Sequence, residues 1–191
     1  MATSLVELLA VFSLLGGAAA NPLNLFGPYS VYAEKGYPCG PKESSGKMKL
    51  DLKATRVDMR KQNALQLITV SFNTTTPLVD EMWGRARIDG YSNGEWKPNA
   101  LLFAFQDHGC SNLRTHIPQL FNALFKKEGE GKECSVRPGV YTVVDEPMNW
   151  TFPKFPVLPY GFFRFHVTGG VGEDVYGCHN VEGRVVPRKH G

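Results

Sequence analysis

The sequence lacks an apolar run that is long enough to cross a membrane. The run nearest to that length, Leu5–Leu15, has about eleven residues, whereas a spanning helix needs roughly twenty. It leads into the small residues of 16–20, which is typical of a secretory signal peptide and its cleavage site. We therefore predict a leader at 1–20 and a single secreted domain at 21–191, in the extracellular space or the lysosomal lumen.

The sequence also lacks a large excess of positive or negative charge. The chain has 21 Lys and Arg against 18 Asp and Glu, a formal net charge of +3. Because nucleic-acid binding needs a dense basic stripe or patch, we predict no nucleic-acid partner. The mild positive charge suits transient contact with an anionic membrane surface.

Cysteines are few, and none lies in a C-x-x-C motif. Zinc sites in proteins need clustered Cys and His ligands, so we predict no bound metal. An even number of cysteines in a secreted chain indicates disulfides, and four cysteines allow three pairings. We favour a nested arrangement, with Cys110–Cys134 bracketing one helical stretch and Cys39–Cys178 tying the two ends of the domain.

Residues that would indicate catalysis are scarce. The chain has five histidines and no paired carboxylates at a suggestive spacing, so His108 and His166 are interpreted as exposed or structural. The stretch Gly90–Gly94 matches the G-x-S-x-G pattern of a hydrolase, but that pattern needs a following helix, and a hairpin turn explains the same residues. We predict neither an enzyme nor a cofactor, with an esterase using Ser92 as one rival.

Alternating apolar and polar residues are abundant, and they predict eight short strands. These are 29–34, 47–53, 65–72, 81–91, 101–106, 140–144, 160–168 and 175–186. Between Cys110 and Cys134 the apolar residues recur instead at intervals of three and four, which predicts one amphipathic helix. Pro118 indicates a start near Thr115–Ile117, because proline is tolerated in the first turn of a helix. The sequence therefore predicts an all-β protein, an antiparallel β-sandwich or β-cup of about eight strands with one short helix.

Two N-x-S/T triplets are present. They begin at Asn73 and Asn149. Such triplets are glycosylation acceptors in secreted chains, so we predict that both asparagines face solvent.

The aromatic content is high, with twelve Phe and three Trp. One interpretation is a closed core that is simply rich in aromatic residues. The other is a sandwich whose sheets stand apart around an apolar cavity, which is entered beside the 150–160 loop and the helix. Composition does not decide between them.

Several motifs carry a resemblance to a known family over about residues 29–186. They are Gly109–Leu113, Glu133-Cys134, Pro138–Tyr141, the Phe152–Pro159 run before Gly161–Arg164, and Gly177-Cys178. With Asn93–Pro98 they resemble the ML lipid-recognition superfamily, including its ganglioside-activator members and a secreted insect branch with chemosensory members. The resemblance implies the nested disulfides, a β-cup and non-catalytic lipid binding.

What the resemblance implies for function is a protein that sequesters, carries or presents a lipid, to a membrane, a lipid hydrolase or a receptor. By strand and helix alternation we place twelve residues on the cavity wall: Ile68, Val70, Phe72, Phe103, Phe105, Leu120, Phe121, Phe125, Phe152, Phe155, Phe163 and Phe165. The alternatives are a carrier of a hydrophobic semiochemical and a secreted protein-interaction module with a filled core.

Overall fold

The protein is the predicted all-β antiparallel sandwich. The computed structural model describes residues 25–58, 65–126, 128 and 133–188, and the predicted leader lies outside them. The strands are β1 (Phe26–Gly27), β2 (Tyr29–Pro38), β3 (Met48–Ala54), β4 (Gln66–Thr74), β5 (Leu78–Val79), β6 (Trp83–Ser92), β7 (Glu95–Phe105), β8 (Ser135–Val136), β9 (Gly139–Met148), β10 (Leu158–Pro159), β11 (Gly161–Val171) and β12 (Asp174–Pro187). The helices are α1 (Gly109–His116) and α2 (Pro118–Phe125).

Two sheets form the layers of the sandwich. One has five strands in the order β2-β12-β11-β6-β7, and the other has three in the order β3-β4-β9. The two-residue strands make two small pairs, β1 with β10 and β5 with β8. Within the described part of the chain, neither helix reaches the length and apolarity that a membrane crossing requires.

The core lies where the alternating faces of the two sheets meet. On β4, Gln66, Ile68 and Val70 are buried while Leu67 is exposed, because successive side chains of a strand point to opposite faces. On β11 the same alternation buries Phe163 against the core. All eight predicted strands are present, and most of them are longer than the pattern indicated.

The helical segment differs from the prediction of one helix. It forms two short helices that are separated at Ile117, whose φ of −131° and ψ of 57° are not helical. Pro118 causes the break, because its ring disfavours a helical conformation at the preceding residue and it has no N–H to donate. Pro118 is the first residue of α2, directly after the predicted start at 115–117, whereas α1 already begins at Gly109.

The Gly90–Gly94 stretch is a hairpin. Ser92 pairs with Glu95 across the β6–β7 turn, and both turn residues have positive φ, 52° at Asn93 and 81° at Gly94. These angles suit the tight two-residue turn that an Asn-Gly pair favours. The stretch is therefore strand–turn–strand, as the hairpin interpretation predicts.

Both disulfides have the predicted pairing. Cys39 is bonded to Cys178 and Cys110 to Cys134. The asparagines of the two glycosylation triplets, Asn73 and Asn149, are exposed as predicted.

Candidate functional site

One side of the sandwich, where β2 meets β3 and β4, is held closed. The Gln66 amide is buried, and it receives a hydrogen bond from the Ala33 N–H at 2.9 Å and donates one to the Ala33 carbonyl at 2.7 Å. The same amide donates to the Thr55 carbonyl and accepts from the Trp150 indole N–H. One glutamine therefore joins β2 of the larger sheet to β4 of the smaller one, and we call this contact the closed seam.

The opposite side, between β7 and β9, is spanned by the helices. Asp80 fixes the start of α1, because its carboxylate accepts from the N–H of Ser111 at 2.7 Å and from its hydroxyl at 2.8 Å. At the other end of the helical segment, Phe125 of α2 packs edge-on against Phe72 at 5.6 Å and Tyr141 at 5.1 Å. The helices therefore cover the interior along β9.

An aromatic cluster lies where α1 ends beside β7. The Phe103 ring is 4.8 Å from His116, 5.4 Å from Phe155 and 5.9 Å from Phe105, measured between ring centroids. All four side chains are half-buried. We call these four residues the aromatic opening, since they lie at the end of the sandwich where the proline-rich loop of 150–160 meets the helices.

His116 gives the aromatic opening its one titratable ring. Its Nδ1 atom is buried and has no hydrogen-bond partner among the described residues. Burial, together with the positive charge of Lys154, lowers the pKa of His116 below its usual value. The imidazole is therefore held mainly in its neutral form, which suits an apolar surrounding.

Two apolar side chains of the inner sheet face remain accessible to solvent near this cluster. Leu101 shares the face of Phe103 and Phe105, and it is 41% exposed. Val167 lies in register with Ala86, which in turn pairs with Phe103, and it is 45% exposed. The inner face of the five-stranded sheet is therefore incompletely covered on the β7 side.

The twelve predicted wall residues divide into three groups by position. Five are buried in the core: Ile68, Val70, Phe121, Phe125 and Phe163. Four are half-buried and pack against that core: Phe72, Leu120, Phe152 and Phe165. The remaining three belong to the aromatic opening: Phe103, Phe105 and Phe155.

A separate cleft lies near the closed seam. It has a volume of about 400 Å³ and contains none of the twelve predicted wall residues; its lining is Tyr32, Ala33, Glu34, Ala54, Thr55, Arg56, Val57 and Gln66. Its size is within the range of small-molecule sites. No sequence pattern indicated this cleft, because Glu34 lies on β2 of the larger sheet and Arg56 follows β3 of the smaller one.

The outer face of the five-stranded sheet carries a buried carboxylate. Asp89 has no exposed side-chain surface and accepts hydrogen bonds from Arg164 at 2.8 Å and Arg87 at 3.1 Å, and from the Asn99 N–H. Burial would raise the pKa of Asp89, but these three donors outweigh it and hold the pKa below its usual value. Arg164 also lies over the ring of Trp96, 4.7 Å from its centroid.

The two histidines that the sequence singled out occupy different settings. His108 is exposed, and its hydrogen bond with Asp107 raises its pKa. His166 is half-buried beside the Cys39–Cys178 disulfide, with Nδ1 3.0 Å from the Asn180 amide oxygen. These cysteines, His166 and Glu43 place their potential metal-ligand atoms within 4.8 Å of one another, but both sulfurs are committed to the disulfide.

No protein-family model matches this chain, and no curated protein matches it either.

Proposed function

We propose that this protein binds a lipid or another hydrophobic small molecule without catalysis, and that it carries or presents that molecule. The observation that carries the proposal is the uncovered inner face at the aromatic opening, where Leu101 and Val167 are accessible although they share a face with core residues. Water gains no hydrogen bonds from such a surface, so an apolar ligand there would be stabilised by burial.

The resemblance to the ML lipid-recognition superfamily supports the same function. Members of that group hold a lipid between two splayed sheets, and Phe155 of the aromatic opening lies in the Phe152–Pro159 run that carries the resemblance. The two disulfides fit an extracellular protein. We therefore propose a function in the secretory route, with a transient membrane contact and with a hydrolase or a receptor as the recipient of the lipid.

The binding mode follows from the free energy that is gained when hydrocarbon leaves water. Each methylene that leaves water contributes about 0.8 kcal/mol, so a long apolar wall is sufficient and dedicated polar contacts are not required. Phe103, Phe105 and Phe155 of the aromatic opening provide rings that an apolar ligand would contact, and Phe165 packs against the core on the same face of the sheet. A hydrophobic semiochemical would use the same wall, which makes a chemosensory carrier a variant of this proposal.

Native mass spectrometry of the purified protein tests the proposal directly. We expect a co-purifying hydrophobic ligand, or uptake of a fatty acid or an environment-sensitive fluorescent probe by the ligand-free protein. A protein-interaction module with a filled core would show neither. Loss of ester hydrolysis on Ser92→Ala substitution would support the esterase instead.

Substitutions then locate the ligand. We expect Phe155→Ala and Phe103→Ala to weaken binding of the probe by about tenfold or more, because burying a Phe side chain contributes about 1.5–3 kcal/mol. Phe162→Ala is the matched control, since Phe162 is half-buried among Tyr91 and Trp96 on the outer face. An equal loss in all three variants would contradict binding at the aromatic opening.

A further inference from the structure

The free edges of the two main sheets differ in how they are protected. A strand edge exposes backbone N–H and C=O groups that can pair with another chain, and proteins usually block such edges with charges, prolines or covering elements. On β2, both backbone groups of Ala33 are occupied by the Gln66 amide. On β3, Lys49, Asp51 and Lys53 are exposed along the strand.

The β9 edge is also protected. Helix α2 packs beside it, and Gln119 donates to the Pro147 carbonyl at 3.1 Å and accepts from the Asn149 N–H at 3.0 Å. Pro147 itself cannot donate to an added strand.

In the part of the chain that the structure describes, the β7 edge lacks these protections. From Ala100 to Phe105 the strand has neither a charge nor a proline, and within the described residues it pairs with β6 alone. Leu102 points away from the core and is 64% exposed. Since the backbone groups of an antiparallel strand alternate in direction, half of those in this segment point away from β6.

We propose that this edge pairs with the same edge of a second copy of the chain. Antiparallel pairing about a two-fold axis at Leu102 places Leu102 opposite itself, Leu101 opposite Phe103 and Ala100 opposite Ala104. Each opposed pair then lies on one face of the combined sheet, so the inner faces of the two copies are continuous. The dimer has one ten-stranded sheet.

The extent of the regular strand favours this register. An axis at Leu102 pairs all five residues from Ala100 to Ala104, whereas an axis at Leu101 pairs only the three from Ala100 to Leu102, because Pro98 and the positive φ of Asn99 end the regular part of β7. The nearest charged residues, Lys97 and Asp107, lie outside the part of the edge that pairs, and each has a partner in its own chain.

The length of the edge sets the strength of the dimer. Pro98 and the positive φ of 58° at Asn99 end the regular part of β7, so only Ala100 to Ala104 can pair across the axis. Such a contact is smaller than the roughly 1,200 Å² of standard stable complexes. We expect a reversible dimer with a dissociation constant in the micromolar range.

Sedimentation velocity of the purified protein from about 1 to 100 µM tests the proposal, a range that brackets micromolar affinity. We expect the wild type to shift from monomer to dimer, and Leu102→Lys and Ala104→Lys to remain monomeric with unchanged circular dichroism. Val144→Lys is the matched control, because Val144 is 71% exposed on β9, and it should dimerise like the wild type. A wild type that stays monomeric, or a Val144→Lys variant that dissociates equally, would overturn the proposal.

Probe binding separates this inference from the proposed function. Leu102 lies on the outer face, so Leu102→Lys should keep the probe affinity of the wild type whether or not dimers form.

Discussion

At the scale of single residues, His179 is the least satisfied side chain of the core. It is 6% exposed, and neither ring nitrogen has a hydrogen-bond partner among the described residues. Burial lowers its pKa, and the nearby charge of Asp51 opposes that shift only in part. A buried polar group without a partner costs about 1–3 kcal/mol, so His179 stabilises the fold less than an apolar residue of its size would.

The sign of the pH dependence follows from this pKa. Because the folded pKa is depressed, the unfolded chain binds a proton first as the pH falls below about 6.5. Stability is therefore lost from about pH 6.5 downward, until the folded pKa is passed. His116, whose pKa is also lowered, acts in the same direction.

We predict that His179→Leu flattens this pH dependence and leaves the protein at least as stable as the wild type at pH 5. The measurement is the free energy of unfolding in urea between pH 7.5 and 5. His108→Gln is the control, because the raised pKa of His108 acts in the opposite direction, so its removal should not flatten the curve. An unchanged pH slope in His179→Leu would contradict the prediction.

At the scale of elements, periodicity is sufficient for the eight longer strands and insufficient for the helices and the four two-residue strands. Met48, Leu50 and Leu52 alternate with charged residues over a half-buried strand, and β3 forms there. The helical stripe predicts one helix, whereas the residue before proline, Ile117, leaves the helical conformation. The spacing of apolar residues carries no information about a clash between backbone atoms. The break at Ile117 therefore has to be predicted from the proline that follows it.

Glycines on the inner face of β6 determine how closely the aromatic opening approaches the sheet. Gly84 pairs with Phe105, and a Cβ atom at position 84 would lie 2.3 Å from the Phe105 ring. The ring therefore occupies the space that a side chain at 84 would fill. No sequence pattern indicated this contact, because it depends on the register of two strands and on one rotamer.

We predict that Gly84→Ala destabilises the wild type by about 1–3 kcal/mol through overpacking, and costs much less in a Phe105→Ala background. The double-mutant cycle, measured by urea unfolding, should give a coupling of about 1 kcal/mol or more. Gly90→Ala is the matched control on the same strand and face, because its Cβ would have ordinary contacts at 3.8 Å. Equal losses with and without the Phe105 ring would contradict the contact.

At the scale of the whole molecule, the two sides of the sandwich are bridged by different kinds of contact. The cysteine count and the aromatic surplus of the sequence were compatible with this asymmetry, but they did not indicate which strands would meet. The Cys39–Cys178 disulfide joins β12 to the chain just after β2, and Gln66 joins β2 to β4. Among the described residues, the β7 side is spanned by the two helices and by aromatic rings, so we expect the proposed ligand and the proposed second copy to approach there.

The last prediction concerns Gln66, the residue that forms the closed seam. Gln66→Leu keeps the volume of the side chain but leaves the N–H and C=O of Ala33, the Thr55 carbonyl and the Trp150 indole without their partner. Each unsatisfied buried group costs about 1–3 kcal/mol, so we expect a loss of at least about 3 kcal/mol in the free energy of unfolding. Gln119→Leu is the control, since its amide also joins two elements but is only half-buried, and it should cost about 1 kcal/mol or less. Similar losses in the two variants would mean that the Gln66 amide does not hold the two sheets together.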